Sequence, residues 1–413
     1  MLRFSTSLLA LLLFQCFLIG CNVQPKDENG QSTGESAQGQ AEGKQVNYQE
    51  HTDYEVYDRI RIVDKVGFTQ AQEAFSMLLP KGWQQQAEIV WNMPGSPCAG
   101  TFAWLKASSA DAQYELNMFP DLVYIWNTNQ ETMQYSQGFD RNSNCSHKQP
   151  IDAEKYLRQV FGPEIGNPQV IKIETNQEVV NQMQQASNAS LAELRQYGAG
   201  DVKFYPTALN AVVRWSDGKE GLVVLGTTVT EITMPNVYTG SSSKLYTTSI
   251  AKRTVYKYPE KESETAKNQF AVILSSIRTN PYWTDAVNAF WKNVRQQSNI
   301  VHLGRIKAMD EQTRKMGEQA ISTGNERLKT MDLDMRNWEM QQNSQDRMHT
   351  NFVKTIREVE NFQDATGKYE MSSSYSNAWS RGDGNSFVMS NNSNFDPGYV
   401  FQDQSWTEMK KVD

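Results

Sequence analysis

Ala211-Val-Val-Arg-Trp-Ser-Asp-Gly-Lys-Glu-Gly-Leu-Val-Val-Leu225 decides the fold class. Two β-rich runs, 211–215 and 221–225, flank Asp217-Gly-Lys219, whose glycine suits a tight turn, so the stretch reads as two strands joined by that turn. Thr228–Met234 and Lys252–Tyr258 continue the strand pattern. Upstream, Ile60–Val63, Phe75–Trp83, Glu88–Trp91, Phe102–Leu105, Tyr114–Phe119 and Leu122–Trp126 are short apolar runs. Several are spaced by about 10 to 12 residues, the rhythm of a meandering antiparallel sheet. Gln70–Ala74, Ala153–Phe161 and Gln177–Tyr197 have helical composition. Glu262–Ile277 reads as a closing helix with Phe270, Ile273, Leu274 and Ile277 on one stripe. The expectation is an α+β globular domain over 53–281, an antiparallel sheet covered by helices.

Beyond it, Asn288–Phe362 lacks proline and is rich in Gln, Glu, Arg and Met. Leu328, Met331, Met335, Trp338, Gln342, Gln345, His349, Phe352, Ile356 and Val359 follow steps of three and four, a heptad seam with a polar centre. Gly317 and Gly324, ahead of that seam, interrupt the helix and split it. Residues 282–364 are therefore expected to form a long helical segment: either a hairpin packed on its neighbour or a coiled coil that makes a homo-oligomer. The last stretch, 365–413, sets Tyr369, Tyr375, Trp379, Phe387, Phe395, Tyr399, Phe401 and Trp406 among Ser, Asn and Gly. That pattern predicts a small aromatic β-meander, with Asn394-Phe-Asp-Pro-Gly398 as a turn. Trp379, Trp406 and Tyr399 are its candidate ligand or partner surface, because aromatic faces bind sugar rings and peptides; the alternative is that the eight aromatics form the core of a very small module.

At the other end, Arg3 precedes an apolar run from Leu8, closed by Leu18-Ile-Gly-Cys21. The run is too short to span a bilayer and reads as a signal peptide over 1–20. Leu-Ile-Gly-Cys resembles the lipobox of bacterial lipoproteins. The resemblance implies cleavage before Cys21, acylation there and a stable membrane tether through the lipid anchor. Asn22, where an Asp often signals inner-membrane retention in enterobacterial-type lipoproteins, favours the outer membrane. Residues 21–52 hold the lipidated cysteine and a Gly-, Gln-, Ser- and Glu-rich linker that cannot bury enough apolar surface to fold; its reach is about 30 Å.

Ala74-Phe-Ser-Met-Leu-Leu-Pro-Lys-Gly-Trp83 is similar to the opening strand of the Mog1/PsbP-like superfamily, and Ile277-Arg-Thr-Asn-Pro-Tyr-Trp283 resembles the exit of its closing helix. The resemblance implies a single antiparallel sheet covered by helices, and a binding or assembly module rather than an enzyme. Residues 182–200 depart from that compact pattern.

The chain has 413 residues, a formal net charge of −7 and no long basic run, which argues against nucleic-acid binding because phosphates demand clustered Lys and Arg. Of four cysteines, Cys16 leaves with the signal and Cys21 takes the lipid. Cys98 and Cys145 are then expected to form a disulfide in an oxidising compartment, against the rival reading of Cys145 as a thiol nucleophile beside His147. His51, His147, His302 and His349 show no metal-ligand spacing, so no metal or other cofactor is expected. Asp140, Asn142 and Asn144 alternate like a calcium loop, yet Cys145 and Ile151 stand where Gly and Glu are needed. Arg381-Gly-Asp383 reads as a turn. Asp217 and Glu220 are the acidic pair a glycosidase would need, with solvated charge as the plain alternative. The expectation is a non-catalytic envelope lipoprotein with a protein or glycan partner, facing periplasm or cell surface. Its rivals are an enzyme on surface polysaccharide and a structural homo-oligomer.

Overall fold

A computed structural model describes residues 48–92, 99–130, 133, 146–196, 201–235, 242–298, 344–354, 356 and 358–412. Cys21, Cys98 and Cys145 lie outside these residues, as do the linker before residue 48, the calcium-like loop and most of the heptad seam. The described chain is mixed α+β with predominantly antiparallel strand pairing.

The 211–225 stretch forms the antiparallel pair expected of it. Strand β9 (Val202–Arg214) runs into β10 (Lys219–Pro235), and β10 into β11 (Ser242–Pro259). Gly218 turns the first pair at φ +79°, a left-handed conformation that glycine adopts without penalty. These strands centre a nine-stranded sheet in the order β3-β4-β5-β11-β10-β9-β8. Its other members are β3 (Gln84–Asn92), β4 (Gly100–Ser108), β5 (Glu115–Met118) and β8 (Gln169–Thr175). Beyond the end of β5, β6 (Leu122–Asn127) pairs with β11, and the short β7 (Ser146–His147) pairs with β6. Successive β10 residues feed opposite cores: Leu222 and Val224 face one, Val223 and Leu225 the other. A strand covered on both faces reads as a continuous apolar run, which explains Leu222–Leu225.

One face is covered by α1, which starts at Ala153–Tyr156, widens into a π-turn over Leu157–Phe161 and ends at Glu164. The other meets α2 (Gln177–Gln196), α3 (Ser263–Ser275), α4 (Pro281–Ser298) and α5 (Ser344–Lys354). Helix α5 packs against α3 and α2. Its last turn is held by side-chain amides: Asn176 Nδ2 donates to the Asn351 carbonyl at 3.0 Å and Asn210 Nδ2 to that of Phe352 at 2.7 Å.

The strands divide among three sheets rather than one. β2 (Gln72–Pro80), which carries most of the 74–83 stretch, pairs with β1 (Tyr54–Asp64) and with the two-residue β12 (Arg278–Thr279). On its other side β1 pairs with β16 (Ser386–Ser390), from Tyr54 opposite Ser390 to Asp58 opposite Ser386. β15 (Asn377–Ser380) and β17 (Thr407–Glu408) complete this six-stranded sheet. A third sheet joins β13 (Val359–Gln363), β14 (Lys368–Ser372) and β18 (Lys410–Val412).

Three expectations are corrected here. Residues from Gln72 belong to a strand, not to a helix over 70–74, because Ala74 and Met77 supply fully buried contacts on β2. Val359–Phe362 is strand rather than the end of the long helix: Phe362 is buried and its backbone is shared between β14 and β18. Residues 365–413 are not a separate module, because β16 supplies the ladder partner that β1 otherwise lacks. The Asn394–Gly398 stretch does turn, with Phe395 N–H on the Asn392 carbonyl at 3.1 Å, and it runs into a short helix, α6 (Pro397–Val400), whose N-cap Asp396 accepts from the Gly398 amide at 2.8 Å.

Candidate functional site

The β10–β11 ladder is interrupted once, between Val224 and Gly226, where its β11 register skips from Thr254 to Ala251. The two residues passed over are Lys252 and Arg253. An extra residue in one strand re-aims side chains and twists the edge, and such bulges collect beside functional sites. Lys252 sits at φ +58°, a left-handed conformation unusual for a residue with a Cβ. The neighbouring strand breaks at the same level: β5 ends at Met118 and β6 begins at Leu122, with Pro120, which has no N–H to give, between them. The gap is bridged by Phe119 N–H to the Arg253 carbonyl at 2.8 Å, Lys252 N–H to Asp121 Oδ1 at 3.3 Å, and Arg253 Nη1 to the Pro120 carbonyl at 2.9 Å.

The bulge sends its two cations in different directions. Arg253, 2% exposed, pairs with Glu164 and lies among the rings of Phe119, Tyr156 and Phe161. Lys252 meets His349 of α5, its Nζ 2.8 Å from the ring Nε2. Both line a cavity of about 130 Å³ together with Phe75, Phe102, Trp104, Phe119, Trp283, Asp121 and Thr279.

Burial sets the charge states. It holds the Lys252 ammonium down from 10.5 to about 8, although Asp121 and Asp346 pull the other way. Burial, and then the Lys252 charge, push His349 well below its ordinary value, so the ring is neutral at pH 7 and accepts from the ammonium through Nε2. The proton then sits on Nδ1, which has no hydrogen-bond partner among the described residues. Burial raises Asp346 to about 6 against the influence of Arg278 and Thr279, and it raises Asp121 against Lys252. Asp346 accepts twice from Thr279, from the backbone at 3.2 Å and from Oγ1 at 2.8 Å. No carboxylate among the described residues reaches ion-pair distance of Lys252 Nζ.

The residues singled out in the sequence fall elsewhere. Trp379 is 9% exposed and packs with Tyr54, Val56, Val388 and Phe395, which corrects its assignment to a surface. Trp406 is half-buried beneath the Arg381 guanidinium, 4.7 Å from its ring centroid; Tyr399 is 60% exposed. Arg381-Gly-Asp383 is a turn: Gly382 has φ +68°, Arg381 pairs with Asp403 at 2.7 Å, and Asp383 Oδ1 accepts from the Asn385 and Ser386 amides. Asp217 pairs with Lys257 at 2.8 Å and Glu220 with Arg214 at 2.6 Å, so each of the two acids has its own cation. His147 stands on β7. Of the heptad seam, His349 and Phe352 turn inward.

Among the described residues, no group of three or more His, Cys, Asp or Glu is arranged to hold a metal ion, and no helix is long and apolar enough to cross a membrane. No protein-family model matches the chain, and no match is found among curated proteins or solved structures.

Proposed function

We propose that this is a lipid-anchored binding protein of the bacterial envelope. In this reading the chain is cleaved before Cys21, acylated on that residue and held at the outer membrane, and its globule, related to the Mog1/PsbP-like superfamily, captures a ligand without transforming it. The observation that carries the reading is the cavity at the Lys252–Arg253 bulge. It combines an aromatic wall with a few convergent polar groups, the make-up of small-molecule sites. Binding is favoured over chemistry by the state of His349. Nucleophilic or general-base catalysis needs a base oriented by a third group, and among the described residues His349 Nδ1 has no such partner. The aromatic C-terminal stretch, with Trp379 built into the core, is less suited to recognition than the cavity.

Two measurements test this. Cells expressing the full chain should carry fatty-acyl label in the membrane fraction, and Cys21→Ala should lose the label and move to the soluble fraction; membrane retention without label overturns the anchor. Full-length Cys21→Ala protein, incubated with a soluble envelope extract and analysed by native mass spectrometry, should retain an unmodified small compound that Lys252→Met does not. Cleaved or transferred products that vanish with His349→Phe would establish an enzyme instead. Truncation is unsuited to either test, because stopping before 386 removes the β16 partner of β1.

A further inference from the structure

Resting on the binding role just proposed, we infer that the cavity takes a small carboxylate with a compact apolar body, its anionic end on Lys252 Nζ and its body among Phe75, Ala103 and Trp283. Three observations carry this.

The first is the unequal treatment of the two cations that the bulge presents. Arg253 has a carboxylate, Glu164, and a carbonyl, Pro120; Lys252 Nζ has only the neutral His349 ring at hydrogen-bond distance among the described residues. An ammonium carries three donors, and one goes to His349 Nε2. The remaining two N–H groups are left to donate to an acceptor that a guest brings, and a charge-assisted contact in a partly desolvated site is stronger than a neutral one. The second is the engagement of the nearby acids. Asp121 accepts the Lys252 backbone N–H, and Asp346 accepts twice from Thr279. Arg253 is neutralised by Glu164, so Lys252 is the cavity-lining cation without a carboxylate at ion-pair distance among the described residues, and the contact it leaves open suits an anionic guest. The third is size. The cavity is about 130 Å³, close to the cavity of about 150 Å³ that accepts benzene in an engineered protein core. An apolar body of about six heavy atoms fills such a space, and aromatic walls suit a flat ring or branched chain.

The test uses full-length Cys21→Ala protein and three probes of similar size in calorimetric titration: benzoate, benzamide and benzylammonium. Benzoate should bind at least tenfold more tightly than either of the others. Lys252→Met should weaken benzoate at least tenfold while leaving benzamide within threefold. Ala103→Leu, which adds bulk on β4 where Ala103 lines the cavity, should weaken benzoate and benzamide alike. Folding of each variant is checked by its urea midpoint. Benzamide or benzylammonium binding as tightly as benzoate, or benzoate binding indifferent to Lys252→Met, overturns the carboxylate assignment. The extract experiment above separately decides whether the cavity binds a ligand at all, so the two failures are distinguishable. Absence of binding by all three probes also overturns the assignment.

Discussion

Replacing Lys252 with methionine should make the protein more stable at neutral pH. The side chain keeps its length and its contact with the aromatic wall and loses its charge. Lowering the ammonium from 10.5 to about 8 corresponds, at about 1.4 kcal/mol per tenfold change, to about 3 kcal/mol of destabilisation carried by the wild type at pH 7. Against this, Lys252→Met leaves His349 Nε2 buried without its donor, a loss of about 1 kcal/mol. The net expectation is a gain of about 2 kcal/mol, read as a higher urea midpoint at unchanged slope. Its pH dependence is the sharper signature. The folded-state value lies below the unfolded one, so between about 8 and 10.5 the unfolded wild type binds more protons and wild-type stability rises with pH. The variant lacks that rise, and its advantage should shrink through this window and reverse near its upper end. Tyr114 and Tyr258, both raised to about 12, keep their protons longer when folded and lower stability above about 10 in both proteins, which cancels in the difference. A variant less stable than wild type at pH 7, or an advantage that stays constant from pH 8 to 10.5, would refute the reasoning.

Two further outcomes follow from the packing. Trp379→Ala should lower stability by about 3–5 kcal/mol as a buried aromatic, and Tyr399→Ala by no more than about 0.5 kcal/mol, in the same urea assay; equal effects would return Trp379 to the surface. Asp64 is fully buried, its Oδ1 accepting from the Val66 and Gly67 amides and its Oδ2 from the Trp91 and Trp283 indoles, both at 2.9 Å. Asp64→Ala strands four donors and should lose at least about 3 kcal/mol, with Asp64→Asn, which keeps one acceptor oxygen, in between; a loss below about 1 kcal/mol from Asp64→Ala would mean the donors find other acceptors.

Local pattern carried much of this fold. The turn at Asp217–Lys219, the strands from Phe75 to Trp126 and the closing helix are each set by the period of their own apolar residues, and each forms. What pattern does not hold is pairing at long range. Phe387 and Val388 read as part of a terminal meander because nothing in residues 386–390 identifies β1, more than 300 positions earlier, as their neighbour. Trp379 looked exposed because its sequence neighbours are polar, yet burial is set by Tyr54 and Phe395 across the sheet. The cavity left only a faint trace: Lys252-Arg253 places two charges in succession inside a β-rich run, which no simple alternation accommodates, and Pro120 separates two strands that share β11 as a neighbour. His349 was legible as a polar residue on an apolar stripe, but its partner lies on a strand 97 positions away.

That faint trace sits where several local rules fail together. Elsewhere Asp152 and Asp396 cap their helices, Gly218 occupies its left-handed turn and the buried Asp64 accepts four hydrogen bonds, and the departures that do occur, such as Ala112 and Gln402 at positive φ or the buried Tyr156 hydroxyl without a hydrogen-bond partner among the described residues, stand singly. At the bulge a lysine with a Cβ occupies a left-handed conformation, an ammonium is partly withdrawn from water without a carboxylate at ion-pair distance among the described residues, and a neutral histidine holds an unpartnered buried N–H. The first departure alone is worth about 1–2 kcal/mol, and glycine would remove it. The second is worth about 3 kcal/mol by the argument above, and methionine would remove it. Neither replacement would disturb the ladder, since β10 and β11 already skip this position. A site concerned only with stability has no use for lysine there. Departures that single substitutions would relieve, gathered around one cavity, are what a structure retains when the side chains serve a ligand rather than the fold.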